Sequence, residues 1–396
     1  MKIGIIGQGA GALFLSLLLK SKNESLDITI IDQNINPFRK LYATGNGRCN
    51  LANKVISRNS YNSEPAFKLT REYNYIDMIK FLKSLGIYTR LLDDLVYPYS
   101  LSAKAFTDYC VSLLKQYKVK FINKEKVLDY LNKDKSISVN TKGKEYIFDK
   151  VIFATGAKSH KVFGSDGSFF DVLKKHNYKI KSLKPGLVPL KVKENVKQVE
   201  NERLKVGLTL IIDSDVAYKE QGEVLFKKDG LSGICVFNAS SIIARDPGFK
   251  EATIKLDLFP EIPNETLLKQ FTKDNKVSRD NFLNGYFTQN MAEYIRKLSG
   301  CKNLKAFDSY DLKRIVKCVK EMSFIYASPY SFDDSQVSVG GIELNSIDDN
   351  FMSKKEKNVF FIGEVLNLDG LCGGYNLMLC YAEARKISEY LLTLKD

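Results

Sequence analysis

The sequence predicts an α/β nucleotide-binding fold interrupted by a β-rich insert, and three observations carry that prediction. The chain opens with MKIGIIGQGAGALFLSLLLKSKNESLDITIIDQ, which reads as strand, glycine turn, apolar helix and second strand. Residues 150–156, KVIFATG, form an apolar run into a small-residue turn, the pattern of a central parallel strand covered on both faces. From 187 to 262 the pattern changes to short β runs, and strand-and-helix logic returns at 337–396.

In the opening stretch Gly7, Gly9 and Ala12 fit G-x-G-x-x-G/A. The first glycine permits the tight turn, the second lets backbone approach a pyrophosphate, and the small third residue lets helix pack on strand. Ala10 and Gly11 lie within the turn, and the helix-terminal N–H groups face the phosphates. Asp32 ends the second strand, placed to accept from an adenosine ribose hydroxyl. Strand, turn, helix and acid together predict an ADP-containing cofactor and outweigh a ligand-free glycine turn. FAD and NAD(P) both remain open here.

Composition bounds the rest. A chain of 396 residues, 44% hydrophobic and 27% charged, is long enough for two or three domains with a large core. The apolar run Ile3–Leu19 carries glycines in motif spacing and lacks a convincing cleavage site, so it reads as fold rather than a secretory signal. No other run approaches membrane-spanning length, so no membrane partner and a cytoplasmic location are expected. The 7 cysteines form no C-x-x-C pair, which suits reduced thiols. With His160 and His176 the only histidines, no metal site is expected. The 60 basic against 46 acidic residues give a net charge of +14, which favours polyanionic partners, nucleic acid included. A lysine- and asparagine-rich composition with solvated faces accounts for the same charge. Oligomeric state is not legible.

Taken in order, Thr44–Asn53 is too rich in glycine and asparagine for a regular element and reads as a loop. Helices are expected at Ile76–Leu85 and Ala103–Tyr117, with a short strand and turn in LLDDLVYPYS between them. Lys118–Ile122, Ser136–Asn140 and Glu145–Phe148 read as strands of a small inserted β-meander. A helix follows from about Ser168. Strands are expected at Leu187–Lys193, Leu204–Ile212, Glu223–Phe226, Ile234–Phe237 and Thr253–Leu258. Phe282, Leu283, Tyr286, Phe287, Met291, Tyr294, Ile295 and Leu298 recur at helical spacing, predicting one amphipathic helix of about five turns. Asp311–Met322 adds a helix, Val337–Gly341 and Asn358–Gly363 are strands, and Gly373–Leu394 is a glycine-led helix. The expected segments are 1–186 and 337–396 for the nucleotide domain, 187–262 and 322–336 for a β-barrel-like insert, and 263–321 for a helical subdomain.

Four glycine-rich turns, Gly7–Ala12, Thr44–Asn53, Ala154–Ala157 and Gly363–Asn376, each adjoin a strand or helix. In an open α/β sheet such turns collect beyond the carboxyl ends of strands, where ligands sit. FAD is long enough to need several of them, which favours FAD over NAD.

The segments GQGAGA, KLYATGNGRCNLAN, FATGAKS…GSDG, LVPL, GEVLFKKDGLSG and VGGIEL…SK…FFIGEVLNLDGLCGGYNL follow one another in this order. The chain thereby resembles, over nearly its whole length, the BaiN/YhiN-like, aminoacetone-oxidase-like family of NAD(P)/FAD-dependent oxidoreductases. The resemblance implies an FAD domain of glutathione-reductase type interrupted by a β-barrel-like domain with a helical portion. It implies that Gly7, Gly9 and Ala12 cradle the pyrophosphate and Asp32 the ribose. It places Lys40, Thr44, Gly45, Asn46, Gly47 and Arg48 beside pyrophosphate and flavin, and Ala154, Thr155 and Gly156 near the adenosine end. Gly363 and Glu364 would meet the ribityl chain. The turn and helix start at Gly373, Gly374, Tyr375, Asn376 and Leu377 would aim an N-terminus at the flavin O2 end. Ala157, Ile234 and Met378 depart from residues common in the family (glycine, proline and glutamine). The last two bear on the substrate more than on the cofactor.

Cys49 beside Arg48 is a candidate proton donor, because a neighbouring guanidinium lowers a thiol pKa. The plain alternative is a buried, inert thiol. Arg48 and Tyr375 complete the catalytic candidates; Tyr375 either faces the flavin or packs its ring on the helix. Cys372 and His160 are weaker candidates. The expected activity is hydride transfer through flavin N5 to an activated C=C or C=N bond, with NADH or NADPH as a transient reductant, and with the insert covering the flavin. The open alternatives are reduction of uridine in ribosomal RNA, amine oxidation, and a flavin-binding redox sensor without turnover. The substrate is accordingly a small molecule or ribosomal RNA.

Overall fold

Five parallel strands build the central sheet, in the spatial order Val359–Phe361, Lys150–Phe153, Lys2–Ile6, Asp27–Asp32 and Lys120–Asn123. The computed structural model describes residues 1–133, 135–246, 248–301 and 307–394. The expected segments 1–186, 187–262, 263–321 and 337–396 each include residues outside that description, at 134, 247, 302–306 and 395–396.

The chain divides into two units, Met1–Lys184 with Gln336–Asp396, and Pro185–Ser335. In the first unit the middle strands are apolar throughout because both sheet faces are covered; Ile3, Ile5, Ile30, Val151 and Ile152 are fully buried. The helix Ala10–Lys22 buries every residue from Gly11 to Lys20. It packs along the last helix, Tyr375–Thr393, where Phe14 meets Tyr381 edge-on at 5.6 Å. Each fully buried leucine or phenylalanine here stabilises the fold by about 1.5–3 kcal/mol. Lys20 is buried at the end of the first helix and closes it, donating to the carbonyls of Glu24 (2.5 Å) and Leu26 (2.9 Å).

In the second unit six antiparallel strands close a barrel: Leu190–Val192, Gly230–Ser232, Asp215–Lys227, Arg203–Ile212, Ala252–Asp257 and Met322–Pro329. Val206, Leu208 and Leu210 are buried while their neighbours are partly exposed, so the period of two in the sequence becomes the inner face. The hairpin between the two longest strands turns on Asp213 and Ser214, both left-handed (φ 47° and 79°), as two-residue hairpins require. The helices Ile234–Arg245, Asn264–Ser278, Gln289–Leu298 and Ser309–Lys320 belong to the same unit. Leu267, Phe271, Phe282, Met291, Ile295 and Ile315 share its apolar cluster.

Three expected elements take a different form, and two further helices appear. Ile234–Phe237 is not a strand but opens the helix Ile234–Arg245. Its β-branched and aromatic residues favour a strand locally. The following Asn238, Ala239, Ser240 and Ser241 are small enough to bury a helix face, and tertiary burial overrides the local preference. The single helix expected over Phe282–Leu298 is instead a 3₁₀ turn, Arg279–Gly285, and a helix, Gln289–Leu298. Thr288 caps the second piece, its hydroxyl accepting from Met291 N, and such a cap starts a new helix. The expected strand Lys118–Ile122 lies at Lys120–Asn123 and joins the parallel sheet, leaving the meander to Asp129–Lys133, Ser136–Asn140 and Glu145–Phe148. The helices Glu64–Glu72 and Asn264–Ser278 were not expected at all.

Gly230 gives the barrel a direct test. A Cβ there would sit 2.1 Å from the Leu190 carbonyl oxygen on the neighbouring strand. Gly230→Ala is expected to lower unfolding stability by about 2 kcal/mol or more, read as a shift of the urea midpoint; an unchanged midpoint contradicts this packing.

Candidate functional site

The carboxyl ends of three parallel strands lead into glycine-rich turns of the first unit, so the site is built from backbone first. Gly7 is left-handed (φ 103°), donates to the Ile31 carbonyl at 2.8 Å, and has room for no side chain, since a Cβ would lie 2.4 Å from Ala154 O. At Gly9 the nearest obstacle to a Cβ is 3.6 Å away, so space lies in front of the turn. Close helix–strand packing falls on Gly11, whose Cβ would meet the Ile362 side chain at 2.9 Å, and on buried Ala12. Ala10 begins the helix, and Gly9 at its N-cap supplies no side-chain cap. Its first-turn N–H groups therefore suit an anion.

Asp32 is held rigidly: Oδ2 accepts from Gln8 N at 2.7 Å and Oδ1 from Asn34 N at 2.6 Å. With Gly7, Thr155, Gly156 and Asp166 it lines a solvent-open cleft. Thr155 Oγ1 is buried there without a hydrogen-bond partner among the described residues. An uncapped helix terminus, open space at Gly9, a fixed carboxylate and an orphaned hydroxyl fit the ADP half of a dinucleotide. Gln33 and the Lys126–Asp166 ion pair (3.2 Å) also border this cleft and were not singled out from sequence; no motif spacing marks them.

The Thr44–Asn53 segment is a tight coil, with Gly45, Asn46, Gly47 and Cys49 all left-handed. Thr44 Oγ1 donates to Leu41 O (2.7 Å), and Thr44 O accepts from Cys49 N (3.0 Å). The coil is clamped to the start of the last helix. Asn53 Nδ2 donates to Gly373 O at 3.0 Å, and Asn50, with its amide turned to satisfy both ends, accepts from Gly374 N at 3.2 Å. A Cβ on Gly374 (φ 91°) would come within 2.6 Å of the Ala52 backbone. Gly374 caps the 19-residue helix without a side-chain bond, so the N–H groups of Tyr375, Asn376 and Leu377 form an electropositive end beside the coil.

The family model for the HI0933-like protein Rossmann domain matches residues 1–390. The chain belongs to this family. This HI0933-like chain is 28% identical over 397 residues to a 3-dehydro-bile acid delta(4,6)-reductase of Clostridium scindens, covering 96% of each. It is 24% identical to a ribosomal RNA dihydrouridine synthase of Escherichia coli, covering 99% of this chain and 98% of the relative. Against a solved 3-ketosteroid delta1-dehydrogenase of Sterolibacterium denitrificans it has a TM-score of 0.48 at 8% identity, covering 99% of each chain.

Within the HI0933-like site the catalytic candidates fare unequally. The expected lowering of the Cys49 thiol by Arg48 does not occur. Cys49 is 0% exposed, and burial pushes its thiol up to about 12, against a smaller opposing effect of the Thr44 side chain. The charge of exposed Arg48 acts on Tyr97 instead, opposing the upward push of burial on that phenol. The Tyr375 hydroxyl donates to the Val55 carbonyl at 2.9 Å, and its ring packs edge-on against Tyr61 at 5.7 Å. The Asn376 side chain braces its own turn, accepting from Gly370 N (2.9 Å) and donating to Gly370 O (3.0 Å) and Leu371 O (3.3 Å).

Lys40 and Glu364 belong to one network. Lys40 Nζ meets Glu364 Oε2 at 2.7 Å and Ser159 Oγ at 2.6 Å. Glu364 Oε1 accepts from Ser159 Oγ and from Ser338 N, both at 2.6 Å. Most of this carboxylate's acceptor capacity is therefore spent within the protein, which fixes the Gly363–Glu364 turn. Ser159, Ser338 and Glu383 are additions that were not candidates: Ser159 closes the FATGAKS segment without an assigned role, and Glu383 left a trace as an acid among apolar residues in LCYAEARKI.

A pushed-up, buried thiol does not form the reactive thiolate. In native protein at about pH 8, Cys49 is expected to resist iodoacetamide and to label fully only in denaturant, read by peptide mass mapping. Labelling within minutes in the native state contradicts this environment.

Proposed function

We propose that this HI0933-like protein is an FAD-dependent oxidoreductase that reduces an activated C=C or C=N bond. The observation that carries the reading is the convergence of four backbone turns at one end of the parallel sheet, with the Thr44–Asn53 coil bonded to the start of the last helix. A cofactor as long as FAD makes use of all four. Bound FAD supplies a hydride carrier at its N5 atom.

The protein's part is to bind and orient. The N–H groups at Gly9–Ala12 face the pyrophosphate, Asp32 accepts from the adenosine ribose, and the Thr155 hydroxyl gains its missing partner at that end. The Gly363–Glu364 turn, held by Lys40 and Ser159, meets the ribityl chain. The N-terminus of the last helix stabilises negative charge at the pyrimidine end of the ring. Cys49 is a packing residue in this scheme. The relatives' names, a delta(4,6)-reductase and a dihydrouridine synthase, both describe addition of hydrogen to a ring double bond and so favour C=C as the acceptor. NADH or NADPH is the proposed reductant.

A second reading places the double bond in uridine of ribosomal RNA, and the net charge of +14 favours it. The two substrates separate cleanly by salt. Binding to RNA is expected to weaken steeply between low and physiological salt, whereas an uncharged ring substrate shows little dependence. Mass mapping of dihydrouridine in ribosomal RNA from a deletion strain decides the point: an unchanged map returns the substrate to small molecules.

Purified protein is expected to carry releasable FAD and to bleach on anaerobic addition of NADH or NADPH. Protein that retains no flavin on reconstitution contradicts the cofactor assignment. Asp32→Ala is expected to weaken FAD binding by about ten- to a hundredfold, the worth of a charge-assisted hydrogen bond, measured by flavin fluorescence.

A further inference from the structure

Glu383 lies in the last helix, Tyr375–Thr393, with 0% of its surface exposed. Its neighbours in sequence, Leu379, Ala382, Ala384 and Ile387, are buried with it. One carboxyl oxygen, Oε2, accepts from Gly363 N at 2.6 Å. The other, Oε1, is buried and has no hydrogen-bond partner among the described residues. An ionised carboxylate with one neutral donor in apolar surroundings is costly, whereas a neutral acid keeps the same contact on its carbonyl oxygen and buries no charge.

The charges around it do not compensate. On its own helix, Arg385 pairs with Asp77 (3.1 Å) and Glu389 (3.0 Å), Lys386 reaches Glu72 (4.0 Å), and the Cys380 thiol is itself pushed up, first by burial and then by Glu383. From the first helix come Lys20, bound to the Glu24 and Leu26 carbonyls, and Lys22. The packed helices Glu64–Glu72 and Tyr75–Ser84 bring Glu64, Lys68, Arg71, Glu72, Asp77, Lys80 and Lys83. The turn contributes Glu364, already paired with Lys40. Among the described residues no cation forms an ion pair with Glu383.

We infer that Glu383 is a positioning residue that holds a proton beneath the Gly363–Glu364 turn, so that its protonation and FAD binding favour each other. This rests on the FAD reading above. The same Gly363 that Glu383 grips is the residue proposed to meet the ribityl chain of FAD, and the opening helix proposed to face the doubly charged pyrophosphate packs on Ile362 beside it, next to a turn that already holds the Glu364 carboxylate. A second buried negative charge directly under that turn opposes the ligand; a neutral acid does not.

Burial pushes the Glu383 carboxyl up to about 8, against the opposing hydrogen bond from Gly363 N. Because the folded value lies above the unfolded one, its contribution to stability is complete below the unfolded value. It is lost as pH rises through about 8. Calorimetric titration of apoprotein with FAD, in buffers of different ionisation heat, tests the linkage. The expected result is net proton uptake on binding at about pH 8, almost none at about pH 6, and affinity that falls about tenfold as pH rises from about 6 to 9.

Glu383→Gln, a mimic of the neutral acid, is expected to bind FAD without that uptake. Its apoprotein is expected to lose less thermal stability between about pH 6 and 9 than wild type. Wild-type binding with no proton uptake at either pH overturns the inference, and so does an identical pH response in Glu383→Gln. If the variant does not fold, wild-type uptake alone decides. Failure to bind FAD at any pH overturns the cofactor reading and this inference with it, whereas pH-independent binding overturns the inference alone.

Discussion

Direct contact of backbone with backbone, at positions where no side chain fits, is the constraint on which the nucleotide unit depends. Gly7 lies against Ala154 and Gly374 against Ala52; at each a Cβ would fall 2.4–2.6 Å from backbone atoms of the facing segment. The first contact brings the opening turn against the end of the neighbouring strand. The second closes the coil after residue 44 onto a helix that starts more than three hundred residues later (Thr44 to Tyr375). Each contact lies at the start of a helix whose N-cap glycine makes no side-chain cap bond, with open space in front of the first at Gly9. Packing, not any one polar residue, creates the electropositive ends on which the proposed binding of FAD relies.

The acids of this unit follow a consistent electrostatic logic. Asp32 and Glu364 are acids whose oxygens the protein satisfies with designated donors: backbone N–H groups for the first, Lys40, Ser159 and Ser338 N for the second. Among the described residues Glu383 receives one donor and no cation, so its carboxyl is driven towards the neutral form. Cys49 obeys the same rule, since burial outweighs an adjacent arginine in sequence whose charge points elsewhere. Proximity along the chain is a poor guide to which charge a group feels.

Legibility in the sequence tracked the range of the interaction. The strand Lys2–Ile6, the helix Ala10–Lys22 and the strand Lys150–Phe153 were readable because burial on both faces writes an uninterrupted apolar pattern. Ile234–Phe237 misled because β-branched and aromatic residues describe a local preference. Its helical state depends on what Asn238, Ser240 and Ser241 bury against. The division of Phe282–Leu298 turned on one hydroxyl, Thr288, inside an otherwise continuous apolar stripe. At the site, glycine spacing exposed the turns. The partners that hold them, Ser159, Asn50 and Asn53, lie inside the motif segments but are polar residues to which the motifs assign no role, and Ser338 lies outside those segments.

By itself, then, the sequence determined the nucleotide-binding α/β class, the barrel-bearing insert and the positions of the glycine turns. Each of these follows from local periodicity or from a backbone geometry that only glycine adopts readily. Tertiary structure alone decided the states of the groups those turns bring together. It buried Cys49, spent the Tyr375 hydroxyl on Val55, tied Lys40 to Glu364 and isolated Glu383 under Gly363. The physical reason is that ionisation and hydrogen bonding depend on distance and dielectric in space. The chain brings residues 40, 159, 338 and 364 together only once it has folded.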